Sequence, residues 1–138
     1  MTTGMYDKGR ESFLGQNPAI DWDTDTIKCV LVRGYTVNLA THQFLSDVTG
    51  AGGTLVATSS ALASKTVTAG VADAADITFT AVAAGAACQY LIIYKDTGAA
   101  GTSPLICAID NYTGLPVTPN GTDIPVAWDN GANKIFKL

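Results

Sequence analysis

The sequence predicts an all-β protein, an antiparallel β-sandwich of the jelly-roll or Greek-key kind with one or two short helices, the first near the N-terminus. Between Cys88 and Gly131, three apolar segments of strand length are separated by Gly, Pro, Asn and Asp residues. This punctuation is typical of consecutive antiparallel strands. Residues 90–94 are apolar at both alternating positions, which predicts a strand in the middle of a sheet covered on both faces.

Length and composition predict a single globular unit with an unusual surface. The chain has 138 residues, of which 47% are hydrophobic and only 14% charged, against about 25% charged in typical domains. A chain this long buries roughly two thirds of its unfolded surface, so it needs neither metal nor disulfides to fold. We expect an N-terminal arm or short helix over residues 1–20 and one sandwich domain over residues 21–138. A charge-poor surface favours packing against other protein.

Charge, cysteine content and hydropathy limit the partners and the compartment. The net charge is −4 and the pI is about 4.6, and the eight basic residues are scattered. We therefore expect no nucleic-acid partner, because no basic stripe can neutralise phosphates. The N-terminus has no apolar signal core and no segment approaches the roughly 20 apolar residues of a membrane helix, so we expect no membrane partner. The odd set Cys29, Cys88 and Cys107 predicts buried free thiols and assembly in a reducing cytoplasm.

The N-terminal half contains two predicted helices and one clear strand. Residues 5–15 predict a short helix that Gly15 ends. Residues 26–34 predict a strand with Cys29 and its alternate neighbours on one face and Val30 and its alternate neighbours on the other. Residues 40–48 predict a one- to two-turn helix with Thr41 as N-cap.

The C-terminal half is predicted to consist of short strands. Residues 55–57, 65–68 and 77–82 precede the central strand. In the next strand Leu105, Cys107 and Ile109 are expected to share one face. Residues 124–128 and 135–138 are expected to form a hairpin around Asn130-Gly131, the strongest turn signal in the chain.

Two stretches superficially resemble ligand-binding motifs. Asp21, Asp23 and Asp25 alternate like the first calcium ligands of an EF-hand, but Thr26 stands where that loop needs Gly and Val32 where it needs Glu. We interpret the stretch as a solvated turn leading into a strand. The glycine-rich residues 49–53 lack the Gly-Lys-Ser/Thr ending of a phosphate-binding loop. The sequence therefore predicts no metal or nucleotide cofactor.

No catalytic constellation is apparent, so we expect the protein not to be an enzyme. Hydrolytic chemistry needs a nucleophile, a base and an orienting group. The single histidine, His42, has no second histidine or ligand-spaced Cys or Glu, and we expect it at the surface. Asp110 and Asp129 are a conceivable carboxylate pair, but the sequence does not bring them together.

Short segments distributed over the whole chain carry a family resemblance. These segments are Tyr6-Asp7, Arg10-Glu11, Phe13-Leu14, Ile20-Asp21-Trp22, Asp25-Thr26-Ile27-Lys28, Phe44-Leu45-Ser46-Asp47, Ile93-Tyr94-Lys95-Asp96-Thr97-Gly98, Ser103-Pro104-Leu105-Ile106, Thr113-Gly114-Leu115-Pro116-Val117-Thr118-Pro119-Asn120-Gly121 and Trp128-Asp129-Asn130-Gly131. In this order they resemble small structural proteins of tailed bacteriophages. The resemblance implies a virion component assembled in the host cytoplasm, in particular a head decoration (cement) protein, and it brings no catalytic or metal residues.

The expected partners follow from this resemblance and from the surface. We expect the major capsid protein as partner and a homo-oligomer, in particular a homotrimer, because closed symmetry buries a charge-poor surface. Tyr6, Arg10 and Phe13, expected to be exposed on the N-terminal segment, are the candidate contacts to the capsid or to a neighbouring subunit. The alternatives are a tail- or fibre-associated protein with receptor-binding loops, or an adhesin-like subunit, which the missing export signal disfavours.

Overall fold

The computed structural model describes residues 4–138 and shows an all-β fold of antiparallel sheets. The strands are β1 (Gly4–Met5), β2 (Ile27–Arg33), β3 (Thr54–Thr58), β4 (Thr66–Thr68), β5 (Val71–Asp73), β6 (Ile77–Phe79), β7 (Tyr90–Lys95), β8 (Leu105–Ile109), β9 (Ile124–Val126) and β10 (Phe136–Lys137). The helices are α1 (Asp7–Phe13), α2 (Leu45–Gly50) and a 3-10 turn, Ala100–Thr102. The predicted fold class is confirmed.

The main sheet has five strands in the order β1-β8-β7-β2-β3, with every neighbouring pair antiparallel. β7 is the middle strand, and it pairs with β2 along its whole length, from Ile27 opposite Lys95 to Val32 opposite Tyr90. The prediction that residues 90–94 lie in the middle of a sheet is confirmed.

Both faces of this sheet are covered. Leu91 and Ile93 belong to the larger hydrophobic core on one face, while Ile92 and Tyr94 belong to a second core on the other. The predicted alternation in β2 is also confirmed, because Cys29 lies in the first core and Val30 in the second.

The predicted face of β8 is wrong at its first residue. The register between β7 and β8 shifts between Ile93 and Tyr94. Ile93 lies opposite Cys107, whereas Tyr94 lies opposite Leu105. The inserted residue is Ile106, so Ile106 and Cys107 both reach the larger core and Leu105 reaches the second core. A bulge of this kind re-aims side chains and interrupts strict alternation.

Two small sheets cover the face that carries the larger core. One has the order β10-β5-β4 and the other pairs β6 with β9. Ala72 of β5 and Val126 of β9 join Leu91 in the core, so the layers pack in a sandwich-like arrangement.

The predicted C-terminal hairpin is wrong. The turn itself forms, with the Asp129 carboxylate accepting a hydrogen bond from the Gly131 N–H at 3.0 Å. The flanking strands then separate, because Val126 pairs with Ile77 and Phe136 pairs with Ala72. Packing against the larger core decides these partners, and the local turn does not.

The second helix begins later than predicted. Thr41 is not its N-cap, and α2 starts at Leu45 after the extended residue Phe44. The Asp47 carboxylate accepts hydrogen bonds from the N–H groups of Gln43 and Phe44, each at 2.8 Å. An acidic group in the first helical turn also interacts favourably with the positive end of the helix dipole.

The Asp47 contacts predict an acid-dependent contribution to stability. Burial alone would raise the pKa of Asp47, but the N–H groups of Phe44 and Gln43 favour the carboxylate and hold the pKa below its ordinary value. A carboxyl whose pKa is lower in the folded state stabilises fully above its unfolded pKa of about 3.9, and this stabilisation is lost as pH falls through the folded pKa.

We expect Asp47→Asn to lower the free energy of unfolding by about 1 kcal/mol at pH 7, because a hydrogen bond to a charged acceptor contributes more to stability than one to a neutral acceptor. The difference from the unmodified chain should shrink as the pH falls below about 4. Urea unfolding at pH 7 and pH 3 measures this. Asp7→Asn on the exposed side of α1 is the control, and an Asp47→Asn deficit of equal size at both pH values would contradict the assignment.

Candidate interaction surface

The N-terminal segment is built into the main sheet. Met5 of β1 pairs with Cys107 of β8, and the Tyr6 N–H donates to the Ile106 carbonyl at 3.0 Å. The Tyr6 side chain is fully buried, with 0% exposure. The prediction that Tyr6 is exposed is therefore wrong. Pairing with the edge of β8 turns this aromatic side chain into the second core, which stabilises the fold through apolar burial.

Tyr6 belongs to a hydrogen-bonded cluster that includes the only histidine. Its hydroxyl lies 2.9 Å from the Tyr35 hydroxyl, which lies 2.7 Å from His42 Nδ1. The Asn38 N–H donates to the same Nδ1 at 3.3 Å, so this nitrogen accepts and Tyr35 donates to it. Burial raises the pKa of Tyr35 to about 12 and that of Tyr6 further. His42, expected at the surface, is half-buried and packs on Tyr35.

The other two N-terminal candidates differ in exposure. Arg10 is exposed and pairs with Asp7 at 3.1 Å, an exposed contact one helical turn apart. Phe13 is half-buried, and its ring centroid lies 5.8 Å from that of Phe136. The next residue, Leu14, has 83% of its surface exposed, the highest value among the large apolar residues that the structure describes as exposed. The outer side of α1 thus presents a cation and an apolar side chain together.

Two of the three alternating aspartates, Asp21 and Asp25, stabilise a turn with their carboxylates. Asp21 accepts a hydrogen bond from the Asp23 N–H at 3.0 Å, and Asp25 accepts one from the Asp21 N–H at 2.8 Å. Asp25 also pairs with Lys95 at 3.0 Å. Burial acts to raise the pKa of Asp25, but the Asp21 N–H and Lys95 lower it overall. The carboxylates of Asp21 and Asp25 are thus occupied by N–H and ammonium donors.

The three cysteines are free and buried, as predicted. Burial raises the pKa of Cys107 to about 12 and that of Cys29 well above its ordinary value, with a further contribution to Cys29 from Cys107. Burial also raises the pKa of Cys88. Because the thiolate is the reactive form, these positions favour inert, apolar roles.

Of the conceivable carboxylate pair, only Asp129 lines a cleft beside the larger core, and Asp110 is not part of that lining. Asp110 is buried and follows β8 directly in the chain. Burial is the main cause of the raised pKa of Tyr90, and the charge of Asp110 is the second cause. Tyr90 packs against the second core. Within residues 4–138, no three His, Cys, Asp or Glu side chains are grouped as metal ligands would be.

The largest hollow described lies between the edge of the main sheet and β10. This lysine cleft has a volume of about 580 Å³, and its walls include Met5, Ile109, Asp129, Lys134, Phe136 and Lys137. Neither lysine has a carboxylate within 4 Å in the described part of the chain. The cleft therefore combines apolar walls with two cations that are not neutralised by an ion pair.

A second hollow adjoins the first along β10. This aspartate hollow has a volume of about 330 Å³ and is lined by Phe13, Asp21, Asp23, Val67, Phe136 and Leu138, among others. Val67 is 52% and Leu138 54% exposed. Phe136 lines both hollows. The molecule thus presents an acidic and a basic apolar surface side by side.

Sequence reasoning identified only Phe13 and the aspartates of these surfaces. Val67 stands between two threonines in β4, a pattern typical of a half-buried strand in which the valine faces inward. All three residues of β4 are instead exposed. The weak signal was the low overall charge, which indicated a contact surface without locating it.

No protein-family profile matches the sequence, and no curated protein sequence matches it. Among residues 4–138, none of the helices has the length and apolar character needed to span a bilayer.

Proposed function

We propose that the protein is a non-enzymatic structural component of a tailed-bacteriophage virion, a decoration protein that binds the outer surface of the head and stabilises it. The sequence resemblance supplies the class of particle. The chemistry of the described residues supports a binding role, because the exposed features are contact surfaces rather than grouped nucleophiles, bases or metal ligands. The partner is the major capsid protein.

The single observation that carries the proposal is the outer side of α1. Leu14, the C-cap residue that follows α1, is 83% exposed, and Arg10 lies four residues earlier within the helix. The Arg10–Asp7 pair is exposed, and such pairs contribute at most about 1 kcal/mol. Arg10 can therefore exchange Asp7 for a capsid carboxylate at little cost, while Leu14 gains burial. α1 is fixed to the main sheet by Tyr6, so it presents both side chains on a rigid support.

A homotrimer on the head fits this contact. Icosahedral shells have three-fold and quasi-three-fold positions where neighbouring capsomers meet. A trimer at such a position presents three α1 surfaces to several capsomers, and three weak contacts then act as one tight attachment. Attachment across capsomers stabilises the shell, because a ligand that binds only the assembled state shifts the equilibrium toward it.

The proposal is tested by mixing the full-length chain with heads of the encoding phage that lack it. We expect the protein to co-sediment with the heads and to raise their temperature of disruption. Arg10→Glu together with Leu14→Ser should weaken binding at least tenfold while leaving the fold intact. Ala100→Glu, on the exposed 3-10 turn, is the control for added charge.

Three outcomes count against the proposal or against its contact surface. The full-length protein failing to bind heads would exclude decoration, and binding to purified tails alone would favour the tail- or fibre-associated alternative. Unchanged head binding by the Arg10→Glu, Leu14→Ser variant would show that the outer side of α1 is not the capsid contact.

A further inference from the structure

We propose that the chain binds a second copy of itself through the two surfaces beside β10, with the aspartate hollow of one copy meeting the lysine cleft of the next. This inference deepens the proposed function and rests on its homo-oligomer. It identifies the contact between subunits, which is separate from the proposed capsid contact at Arg10 and Leu14.

Charge complementarity is the first argument. Lys134 and Lys137 line the cleft without an ion pair in the described chain, and with Asp129 in the same wall the charged lining sums to +1. Asp23 lines the other hollow, and its carboxylate makes no hydrogen bond or ion pair within the described residues. The chain carries a net charge of −4, so like copies repel on average. A local match of lysine with aspartate overcomes this repulsion only in one relative orientation, which gives the contact its specificity.

Apolar burial is the second argument. Val67 and Leu138 expose 52% and 54% of their surfaces beside Asp23. Met5, Ile109 and Phe136 contribute apolar walls to the lysine cleft. Exposed apolar side chains surrounded by charged ones mark protein–protein contacts. The aspartate hollow thus offers exposed apolar side chains beside Asp23. Met5, Ile109 and Phe136 in the lysine cleft, by contrast, belong to the larger core and are at most 9% exposed.

The symmetry follows from the two surfaces being different. A contact between unlike surfaces is heterologous, and repeated copies close into a ring when the rotation allows it. Phe136 lines both hollows, so the two surfaces adjoin along β10. In a closed ring β10 then lies near the symmetry axis, and each copy contacts one neighbour on either side of it. The same arrangement shields β10, an edge strand of its three-stranded sheet.

The test measures the mass of the purified full-length protein by analytical ultracentrifugation. We expect a species three times the chain mass of 14.2 kDa under the proposed function. Lys137→Glu alone and Asp23→Lys alone should each weaken association at least tenfold. Both side chains are exposed and make no ion pair in the described chain, so these changes leave the fold intact.

The double variant Asp23→Lys with Lys137→Glu separates contact from general charge effects. It restores opposite charges with the signs exchanged, so we expect association within about threefold of the original, as a double-mutant cycle requires. Val67→Ser should weaken association without changing the net charge. Thr41→Lys, exposed and outside both hollows, is the control and should associate normally.

Three outcomes overturn the inference. A wild-type protein that remains a monomer at every concentration excludes self-association through these surfaces. Single charge reversals that associate normally show that another surface joins the copies. A double variant that fails to recover shows that the two charges do not meet. Head binding is measured separately. If the protein associates with itself but does not bind heads, only the proposed function is overturned.

Discussion

Replacing Gly9 by alanine will destabilise the protein by about 1–3 kcal/mol, the usual range for overpacking. Helix propensity alone predicts the opposite, because alanine is favoured over glycine by about 1 kcal/mol inside a helix. The structure reverses this sign, since a Cβ at residue 9 would lie 2.6 Å from the Leu105 carbonyl oxygen and 3.1 Å from the Ile106 carbonyl oxygen. Both are backbone atoms of β8, so they move only if the sheet moves.

Gly50→Ala is the matched control for this prediction. Gly50 ends α2, and a Cβ there would meet nothing within 4 Å. The same substitution should therefore stabilise by about 0.4–1 kcal/mol, through the reduced freedom of the unfolded chain. Chemical denaturation of the two variants measures both effects. If Gly9→Ala were as stabilising as Gly50→Ala, the close packing of α1 on β8 would be wrong.

Replacing Tyr6 by alanine will cost about 3–5 kcal/mol, the range for removing a buried aromatic side chain. Tyr6 is fully buried in the second core, where its hydroxyl meets that of Tyr35. Tyr6→Phe keeps the ring and leaves Tyr35 bonded to His42, so we expect a loss of only about 1 kcal/mol. Urea denaturation of the three proteins gives the comparison.

Arg10→Ala is the control on the exposed side of the same segment, and its effect should stay within about 0.5 kcal/mol. Deleting residues 1–15 should resemble Tyr6→Ala or exceed it, because β1 and Tyr6 leave together. A deletion variant as stable as the whole chain would contradict the placement of this segment in the sheet. Point changes on α1 are therefore the sharper way to test the capsid contact.

The candidate surfaces were only partly predictable from the sequence. The aspartates at residues 21 and 23 were conspicuous as a pattern, and the low charge of the whole chain indicated a contact surface. The grouping of Val67, Leu138 and the two C-terminal lysines around β10 was not predictable, because β5 pairs with β4 on one side and with β10 on the other. Exposure also depends on what covers a residue, which no local pattern records. Tyr6 shows the same limit for burial, because its side chain was predicted to be exposed and the pairing of β1 with β8 places it in the second core.

The sequence by itself determined the central strands of the main sheet. Residues 90–94 are apolar at every position, and the side chains of residues 27–32 alternate between the two faces of the sheet. This alternation comes from the geometry of the extended backbone and does not depend on which strands are paired. Only the tertiary structure decided the bulge that turns Leu105 away from Cys107, and the separation of β9 from β10 despite the Asn130-Gly131 turn between them. The physical reason is that strand partners are chosen by burial against residues distant in the chain, which outweighs the preference of a single turn.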